Sequence, residues 1–427
     1  MAIKFATYSL GCRTNQVELE EIQKKLANLG FLPVQLNQSP EIIIFNTCVV
    51  TQKAEKETRN MIRQLKRKNP QAFLVVLGCA VTAHQKKLIN LPQADLFLGN
   101  QEKDKLISVL KNKFLPFSSE KPKKVKSKYQ EGGRAFIKIQ EGCARQCSYC
   151  ITTILRGKPK SKTAKEIIEK INQLPKNIKE VVLVGTAIDQ WGIDLSPKKN
   201  LLFLLKEIIK KTKIPKITLS SLNPEGLNKN LAEFIISNSR FSSFFHLSLQ
   251  SGSEKVLKDM GRKYQFNQLN KIIQLIKSKR PQFVLRADII VGFPTETEED
   301  FQKTVQLIKQ LKIAFVHIFP FSHRPETLAF KKIKKGEWQD LPLEIKKKRA
   351  KIIQKETEKI RKEIAESLKN KILDCLLLTK ANHYWEGLAE NSFPVKIKGN
   401  NFNQGDLIKV KVIDFKDNFL WGKVLSS

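Results

Sequence analysis

Three cysteines stand close together about a third of the way along the chain. Cys143, Cys147 and Cys150 are spaced by three residues and then by two, and no fourth cysteine or histidine follows nearby. Structural zinc takes four protein ligands in a closed site. Three thiolates on a four-iron cluster instead leave one iron open, and an open iron binds a small molecule and passes it an electron. The spacing therefore predicts a catalytic [4Fe–4S] cluster.

The composition indicates a nucleic-acid partner. The chain has 77 lysines and arginines against 41 aspartates and glutamates, which gives a formal net charge of +36 over 427 residues. Such an excess favours a polyanion, because lysine and arginine neutralise phosphates and release counterions. The length exceeds one ordinary hydrophobic core, so we expect two or three domains.

The sequence also indicates where the protein works. No apolar run approaches the roughly 18 residues of a transmembrane helix, and the first residues lead into a predicted strand rather than a signal peptide. Seven cysteines, six of them in two sets of three, suit metal ligation in a reducing cytosol better than disulfides. We therefore expect a cytoplasmic protein with no membrane partner.

A second set of cysteines lies in a predicted N-terminal α/β domain, residues 1–117. Short apolar strands alternate there with amphipathic helices, which predicts a small parallel sheet. One cysteine follows each strand closely, and loops converge at the C-terminal edge of such a sheet. A single cysteine there is usually a small buried hydrophobe, but three at one edge predict a second metal cluster. The cysteines are Cys12, Cys48 and Cys79, the strands Ile3–Leu10, Glu41–Phe45 and Phe73–Leu77, and the helices Asn15–Asn28 and Gln52–Arg67.

A lysine-dense linker, residues 118–132, precedes a larger predicted domain at residues 133–368. Six predicted strands alternate with helices there, which favours an open (β/α)6 barrel whose functional groups gather at the C-terminal strand ends. The cysteine triplet follows the first strand directly, so we expect it at that edge. The predicted strands are Ala135–Ile139, Glu180–Val184, Lys216–Leu219, Phe244–Leu249, Val284–Val291 and Phe315–Phe319.

The last residues, 369–427, predict a small β-barrel. Its aromatic residues and lysines are candidates for stacking on RNA bases and for phosphate contacts. Those aromatic residues are Tyr384, Trp385, Phe393 and Trp421, of which the last two favour the barrel core. The predicted strands are Ile372–Leu378, Pro394–Lys398, Leu407–Val412 and Phe419–Val424.

Other reactive residue types have structural interpretations. The five histidines are scattered, and no pair has the spacing of metal ligands. Cys375 lies within an apolar strand-like run and is expected in a core. The sequence contains no visible Ser/His/Asp arrangement and no glycine-rich phosphate loop.

The chain resembles the radical-SAM methylthiotransferases over almost its whole length. The two cysteine trios and the small terminal barrel, which resembles the RNA-binding TRAM module, carry that resemblance. The stretch Thr51–Arg63 is most similar to the MtaB-type subgroup. Four shorter phrases also have counterparts in the family: Leu10–Gln16, Asn46–Ala54, Leu249–Ser253 and Gly292–Thr297.

The resemblance implies two [4Fe–4S] clusters and S-adenosylmethionine (SAM) as cofactors. The catalytic trio would hold the SAM-binding cluster, from which a 5′-deoxyadenosyl radical arises, and the N-terminal trio would hold an auxiliary cluster that presents sulfur. Four residues at predicted strand ends are expected to line the SAM pocket, with a turn or packing role as the alternative for each. These are Gly185, Gln250, Gly292 and Pro294.

The resemblance further implies a reaction and its partners. An MtaB-type enzyme adds a methylthio group to C2 of N6-threonylcarbamoyladenosine at position 37 of tRNA. The expected partners are the tRNA anticodon loop and an electron donor such as flavodoxin or ferredoxin, and no DNA is expected.

Three other functions stay open at the level of sequence. One is the same reaction on N6-isopentenyladenosine-37, and another is a non-catalytic protein that uses metal only to stabilise an RNA-binding fold. Methylthiolation of a ribosomal protein fits the residues around the first cysteine less well.

Overall fold

The protein is described by a computed structural model that covers residues 2–114, 131–399 and 401–425. The predicted linker lies outside the described residues as far as residue 130. The described chain forms two compact units. The first unit contains the N-terminal residues with Gly142–Lys158 and Ser322–Lys331, and the second contains residues 131–141, Pro159–Phe321 and the chain from Lys332 onward. Both cysteine trios therefore belong to the first unit, whereas the predicted domain boundaries remain predictions.

The first unit is built on a five-stranded sheet in which all neighbouring strands are parallel. The predicted strands and helices of this region are confirmed, with ends that differ by at most two residues. Its elements are β1 (Lys4–Ser9), α1 (Arg13–Asn28), β2 (Leu32–Pro33), β3 (Ile42–Thr47), α2 (Gln52–Lys68), β4 (Phe73–Gly78), α3 (Cys79–Gln85), β5 (Leu96–Leu98) and α4 (Leu106–Phe114).

Strand β3 lies at the centre of the sheet order β2-β1-β3-β4-β5. All six of its residues are buried, because successive side chains point to opposite faces and both faces are covered. Ile42 and Ile44 join one hydrophobic core, and Ile43 and Phe45 join the other. A continuous apolar run is typical of such a central parallel strand.

The second unit contains six parallel strands that follow one another in chain order. They form two hydrogen-bonded sheets, joined by single parallel bridges, and they confirm the predicted open α/β barrel. The elements of this part of the chain are β6 (Arg134–Glu141), α5 (Thr152–Arg156, within the first unit), β7 (Lys160–Ser161), α6 (Ala164–Asn172), β8 (Glu180–Gly185), α7 (Leu201–Lys211), β9 (Lys216–Leu219), α8 (Lys229–Ile236), β10 (Phe244–Gln250), α9 (Glu254–Asp259), α10 (Phe266–Lys279), β11 (Val284–Val291), α11 (Glu298–Leu311), β12 (Ile313–Pro320), α12 (Leu328–Lys334) and α13 (Leu343–Ser367).

Strand alternation gives β10–β12 two different faces. Phe245, Leu247 and Leu249 of β10 join the large core that is shared with the helices. The opposite face carries polar side chains beside apolar ones, and we call this surface the polar face. In a (β/α) barrel the face away from the helices is the interior, so this polar face lines the interior of the open barrel. It carries His246, Ser248, Arg286, Asp288 and His317.

The C-terminal region is a closed barrel of five strands in the order β13-β14-β15-β17-β16. The sequence predicted only four strands. The missed strand follows a tight turn at Asn382, which has a positive φ of 49°, and this turn lacks the glycine that usually marks a two-residue hairpin. The strands are β13 (Ile372–Ala381), β14 (Tyr384–Ala389), β15 (Pro394–Lys398), β16 (Leu407–Lys416) and β17 (Phe419–Val424).

This terminal barrel packs on the N-terminal ends of β11 and β12. Val284 and Ala314, which lie at those ends, share a hydrophobic core with the barrel residues Phe393 and Cys375. Lys216 of β9 adds an ion pair to Asp374, with a distance of 2.8 Å. Within the described residues, no helix is both long and apolar enough to cross a bilayer.

Candidate functional site

The structure brings the N-terminal cysteine trio together at one edge of the first sheet. Cys12 immediately precedes α1, Cys48 follows β3, and Cys79 begins α3 directly after β4. Since β1, β3 and β4 are adjacent and parallel, their C-terminal ends meet, as the sequence predicted. Cys12 is exposed, whereas Cys48 and Cys79 are buried. The trio can therefore be reached from solvent on the side of Cys12.

Burial governs the chemistry of the central cysteine. It raises the pKa of the Cys48 thiol to about 12, and the neighbouring Cys79 and Cys12 add to that rise. A metal binds the thiolate, so loading this site must release protons. The free thiol is therefore protonated at neutral pH, and a bound metal supplies the positive charge that favours its ionised form.

Gly11 leaves room beside this trio. Its φ is +97°, and a Cβ atom at this position would lie 2.5 Å from Cys48 Cβ and 2.8 Å from Cys48 Sγ. Only glycine combines that backbone conformation with so close an approach. We call this close approach the cradle at Gly11, because it brings the loop of Cys12 up to Cys48 at the sheet edge.

The catalytic trio lies on a loop that is closed at its base. The Cys143 amide donates to the Gly157 carbonyl at 3.0 Å. Two thiols also receive backbone N–H groups, from Arg145 to Cys143 Sγ at 3.4 Å and from Thr152 to Cys150 Sγ at 3.5 Å. Hydrogen bonds to sulfur are a means by which proteins stabilise and tune iron–sulfur clusters.

All three thiols of this loop are partly exposed. They are therefore accessible to a ligand on an open iron, as the three-cysteine spacing requires. These residues fit a [4Fe–4S] cluster in donor type, number and exposure.

A shared hydrophobic cluster connects the two trios within the first unit. Ile151 and Leu155, next to the catalytic trio, pack with Val49, Ala80 and Cys79 of the N-terminal region. Asn100 reinforces the connection by donating to the Leu155 carbonyl at 2.9 Å and to Cys79 Sγ at 3.5 Å. The sequence predicted both trios but not that one compact unit holds them.

Arg156 is the functional residue that the sequence motifs alone did not identify. It lies in α5, six residues after Cys150, and donates to Glu18 Oε1 at 2.9 Å and to Asn15 Oδ1 at 2.6 Å. Burial lowers the pKa of an arginine, but Cys79, Glu18 and Cys12 together hold the pKa of Arg156 well above its ordinary value. This guanidinium therefore places a permanent positive charge beside the N-terminal trio.

Replacing Arg156 by alanine is expected to destabilise the first unit by about 3 kcal/mol, because it removes one of the cations that pair with the buried Glu18. Lys103, which contacts the other oxygen at 2.5 Å, keeps the loss at the low end of the range for buried ion pairs. Urea denaturation of the cluster-free protein measures the change. Arg63→Ala, at an exposed arginine of α2, is the control, and equal effects of the two substitutions would contradict the role given to Arg156.

The predicted SAM-pocket residues all lie at C-terminal strand ends of the second unit. Gly185 ends β8 and Gln250 ends β10, while Gly292 and Pro294 follow β11. Gln250 adopts a positive φ of 71°, which is uncommon for a residue with a side chain. Their common edge agrees with a ligand site, and their contacts to SAM remain predictions.

The loop that contains Gly292 is held by a buried acid. Glu296 accepts the Gly292 amide at 3.0 Å and pairs with Arg349 of α13. Burial raises the pKa of Glu296 despite that arginine. A Cβ atom at Gly292 would lie 2.4 Å from Lys346 Cγ. Close packing against Lys346 is therefore also a reason for a glycine at this position, apart from any contact with SAM.

Two of the scattered histidines meet around one carboxylate on the polar face. His246 Nε2 lies 2.8 Å and His317 Nδ1 lies 3.3 Å from Asp288 Oδ1. Ser221 and Ser248 lie 2.9 Å and 3.1 Å from Asp288 Oδ2. Burial opposes ionisation, but these hydrogen bonds hold the pKa of Asp288 well below its ordinary range. We call His246, Asp288 and His317 the His–Asp–His cluster.

Comparisons with known proteins identify the family. Residues 4–99 match the Uncharacterized protein family UPF0004, and residues 137–308 match the Radical SAM superfamily. The chain is 36% identical to the threonylcarbamoyladenosine tRNA methylthiotransferase MtaB of Aquifex aeolicus, over 96% of this chain and all of that protein. The chain belongs to the MtaB-type family of radical-SAM methylthiotransferases.

Other relatives place this membership in context. The MtaB protein of Rickettsia prowazekii is 31% identical over 96% of this chain and 95% of its own length. A tRNA-2-methylthio-N(6)-dimethylallyladenosine synthase of Thermotoga petrophila is 29% identical over 99% of this chain and 97% of its own length. The family is thus confirmed, and related enzymes differ in the adenosine that their names specify.

A solved structure supports the fold independently of sequence. The radical S-adenosylmethionine methyltransferase TsrM of Kitasatospora setae, with cobalamin and a [4Fe–4S] cluster bound, superposes with a TM-score of 0.57. It covers 79% of this chain and 75% of its own, at 13% identity. This likeness supports the fold, and the family match and the MtaB relatives show that the protein is an enzyme of the radical-SAM superfamily, a family that implies SAM and a [4Fe–4S] cluster.

Proposed function

We propose that this enzyme transfers a methylthio group to C2 of N6-threonylcarbamoyladenosine at position 37 of tRNA. The observation that carries the proposal is full-length similarity to proteins named for that modification. The presence of both cysteine trios in one compact unit supports it, because the reaction needs a radical and a sulfur source close together.

The catalytic trio supplies the radical half of the proposed reaction. Cys143, Cys147 and Cys150 would hold a [4Fe–4S] cluster, which would supply the electron for reductive cleavage of SAM and so the radical chemistry that an unreactive C–H bond needs. The protein contributes three thiolates, the N–H groups that donate to them and a loop closed at Gly157. In this proposal, the SAM pocket is lined by Gly185, Gln250, Gly292 and Pro294.

The N-terminal trio holds the sulfur-presenting second cluster in this proposal. Cys12, Cys48 and Cys79 would supply three thiolate ligands to that cluster, and sulfur would bind the remaining position. The fit rests on the cradle at Gly11, the Asn100 amide beside Cys79 and the fixed positive charge of Arg156. That charge offsets part of the negative charge of three thiolates around a cluster.

The terminal barrel contacts tRNA through an aromatic and cationic surface. Lys396 Nζ lies 4.3 Å from the Phe419 ring centroid, 5.4 Å from that of Tyr384 and 5.9 Å from that of Trp421. These four side chains are partly exposed, and stacking rings beside a cation suit single-stranded RNA. Trp385 is buried in the barrel core and not on this surface, Phe393 is buried there as predicted, and Trp421 is partly exposed although the sequence favoured the core for it. A cytoplasmic location and a flavodoxin or ferredoxin donor complete the proposal.

Removing the lysine tests that surface. Lys396→Ala is expected to weaken tRNA binding and to reduce the slope of log affinity against log salt by about one, because one phosphate-neutralising charge is lost. Filter binding over a salt series measures both quantities. Lys229→Ala, which removes an exposed lysine from helix α8, should leave the slope unchanged, and identical slopes for the two variants would rule out this use of the barrel.

Nucleoside analysis tests the proposed reaction itself. Mass spectrometry of tRNA from cells with and without the gene should show loss of the methylthio form of N6-threonylcarbamoyladenosine in the deletion strain alone. Loss of the methylthio form of N6-isopentenyladenosine would show instead that this enzyme acts on N6-isopentenyladenosine. An unchanged profile would favour a non-catalytic RNA-binding protein.

A further inference from the structure

The His–Asp–His cluster occupies a functional position in the fold. Asp288 stands three residues before the end of β11, and the predicted SAM residue Gly292 follows that end. At about 3.3 Å per residue, the carboxylate lies roughly 10 Å below the C-terminal edge of the sheet. Ligands enter open α/β barrels from this edge, so the cluster lies where a bound substrate reaches into the barrel interior.

One member of the cluster remains available to a ligand. The side chain of His317 is 52% exposed, whereas those of His246 and Asp288 are each 16% exposed. Asp288 faces Nδ1 of His317 and so fixes the orientation of its ring. Among the described residues, Nε2 of His317 has no protein partner. It lies on the side of the imidazole ring opposite to Nδ1, which Asp288 holds.

The charge of the surroundings indicates the kind of ligand. Arg286 stands two residues before Asp288 on the polar face and is near enough to interact with it electrostatically. All the acceptor positions of Asp288 that the structure describes are already used by two imidazoles and two hydroxyl groups. A divalent cation would have to displace those donors beside an arginine, whereas a ligand with an anionic or carbonyl oxygen would not.

The substrate of the proposed reaction has such oxygens. The threonylcarbamoyl group on N6 carries a urea carbonyl, a hydroxyl and a carboxylate, and N6 lies on the same edge of adenine as C2, with only N1 and C6 between them. A group that recognises the N6 substituent must therefore lie near the site of C2 chemistry. An isopentenyl group offers no oxygen, so in the bound complex Nε2 of His317 would have no acceptor on the substituent.

We propose that the His–Asp–His cluster is the subsite for the polar N6 substituent of the substrate base, an inference that rests on the proposed function. His317, with both ring nitrogens protonated, donates through Nδ1 to Asp288 and through Nε2 to the carboxylate or carbonyl oxygen of the substituent. Asp288 and His246 are positioning residues that hold the imidazole of His317, and the hydroxyl groups of Ser221 and Ser248 hold Asp288. The cluster thus selects threonylcarbamoyl over isopentenyl adenosine.

His317→Phe tests the assignment, because it keeps a ring and removes both nitrogens. Anticodon stem-loops that carry threonylcarbamoyl or isopentenyl adenosine at position 37 are compared with the anaerobically reconstituted full-length enzyme. We expect kcat/KM for the threonylcarbamoyl RNA to fall about tenfold to hundredfold through loss of a hydrogen bond to a charged group. The preference over the isopentenyl RNA should fall by the same factor.

His383→Phe is the matched control, at an exposed histidine in the β13–β14 turn of the terminal barrel. It should leave the preference between the two RNAs unchanged. An unaltered preference in His317→Phe would overturn the subsite while leaving the proposed function standing, whereas a wild-type enzyme inactive on the threonylcarbamoyl RNA would overturn the proposed function. Loss of one equivalent of a non-iron divalent metal in His317→Phe would show instead that the cluster is a metal site.

Discussion

Replacing Cys147 by alanine is expected to abolish reductive cleavage of SAM. Cys147 is one of only three thiolates on its loop, and a cluster left with two cysteine ligands lacks the fixed geometry that SAM binding needs. Anaerobic assay of 5′-deoxyadenosine with dithionite as reductant measures the effect. Methylthiolation should disappear as well, because the radical step precedes transfer.

The result depends on the cluster rather than on the fold of the chain. Cys375→Ala is the control, since Cys375 is buried in the terminal barrel and ligates nothing in this account. It should retain SAM cleavage. Normal 5′-deoxyadenosine formation by Cys147→Ala would refute the assignment of the catalytic trio.

Replacing Cys48 by alanine is expected to separate the two halves of the reaction. Reductive SAM cleavage should persist, because the catalytic trio is untouched, but the methylthio product should no longer form. Cys48 lies at the centre of the N-terminal trio and in contact with the cradle at Gly11. Parallel assays of 5′-deoxyadenosine and of methylthiolated nucleoside in the same reaction give the two readouts.

The Cys48→Ala variant needs a check that it is folded. Cys48 is buried, and its carbonyl accepts the Thr58 hydroxyl at 2.8 Å, so circular dichroism must show that Cys48→Ala is folded. Cys48→Ser keeps the size of the side chain and should give the same separation. Full methylthiolation by either variant would remove the N-terminal trio from the mechanism.

Local sequence patterns predicted the elements that carry the cysteines. The buried run at Ile42–Phe45 predicted a central strand, because only a strand covered on both faces is apolar at every position. Each cysteine after such a strand was then placed at the sheet edge by the parallel order alone. Those predictions needed only the pattern of residues within each short segment of the chain.

Features that depend on distant contacts could not be found in the same way. Arg156 pairs with Glu18, which is 138 residues away, and the local sequence gives no indication of that partner. The histidines showed no metal spacing because His246 and His317 lie on different strands, and only the register of β10–β12 brings them to Asp288. Strand β14 was missed because its turn uses Asn382 in place of a glycine.

Iron and sulfide analysis of protein purified without oxygen tests the central claim most directly. If each trio holds a [4Fe–4S] cluster, the wild-type chain should contain about eight iron and about eight sulfide, and each triple cysteine-to-alanine variant should contain about four of each. A wild-type chain with about four iron, or with zinc in place of iron at either trio, would contradict the account.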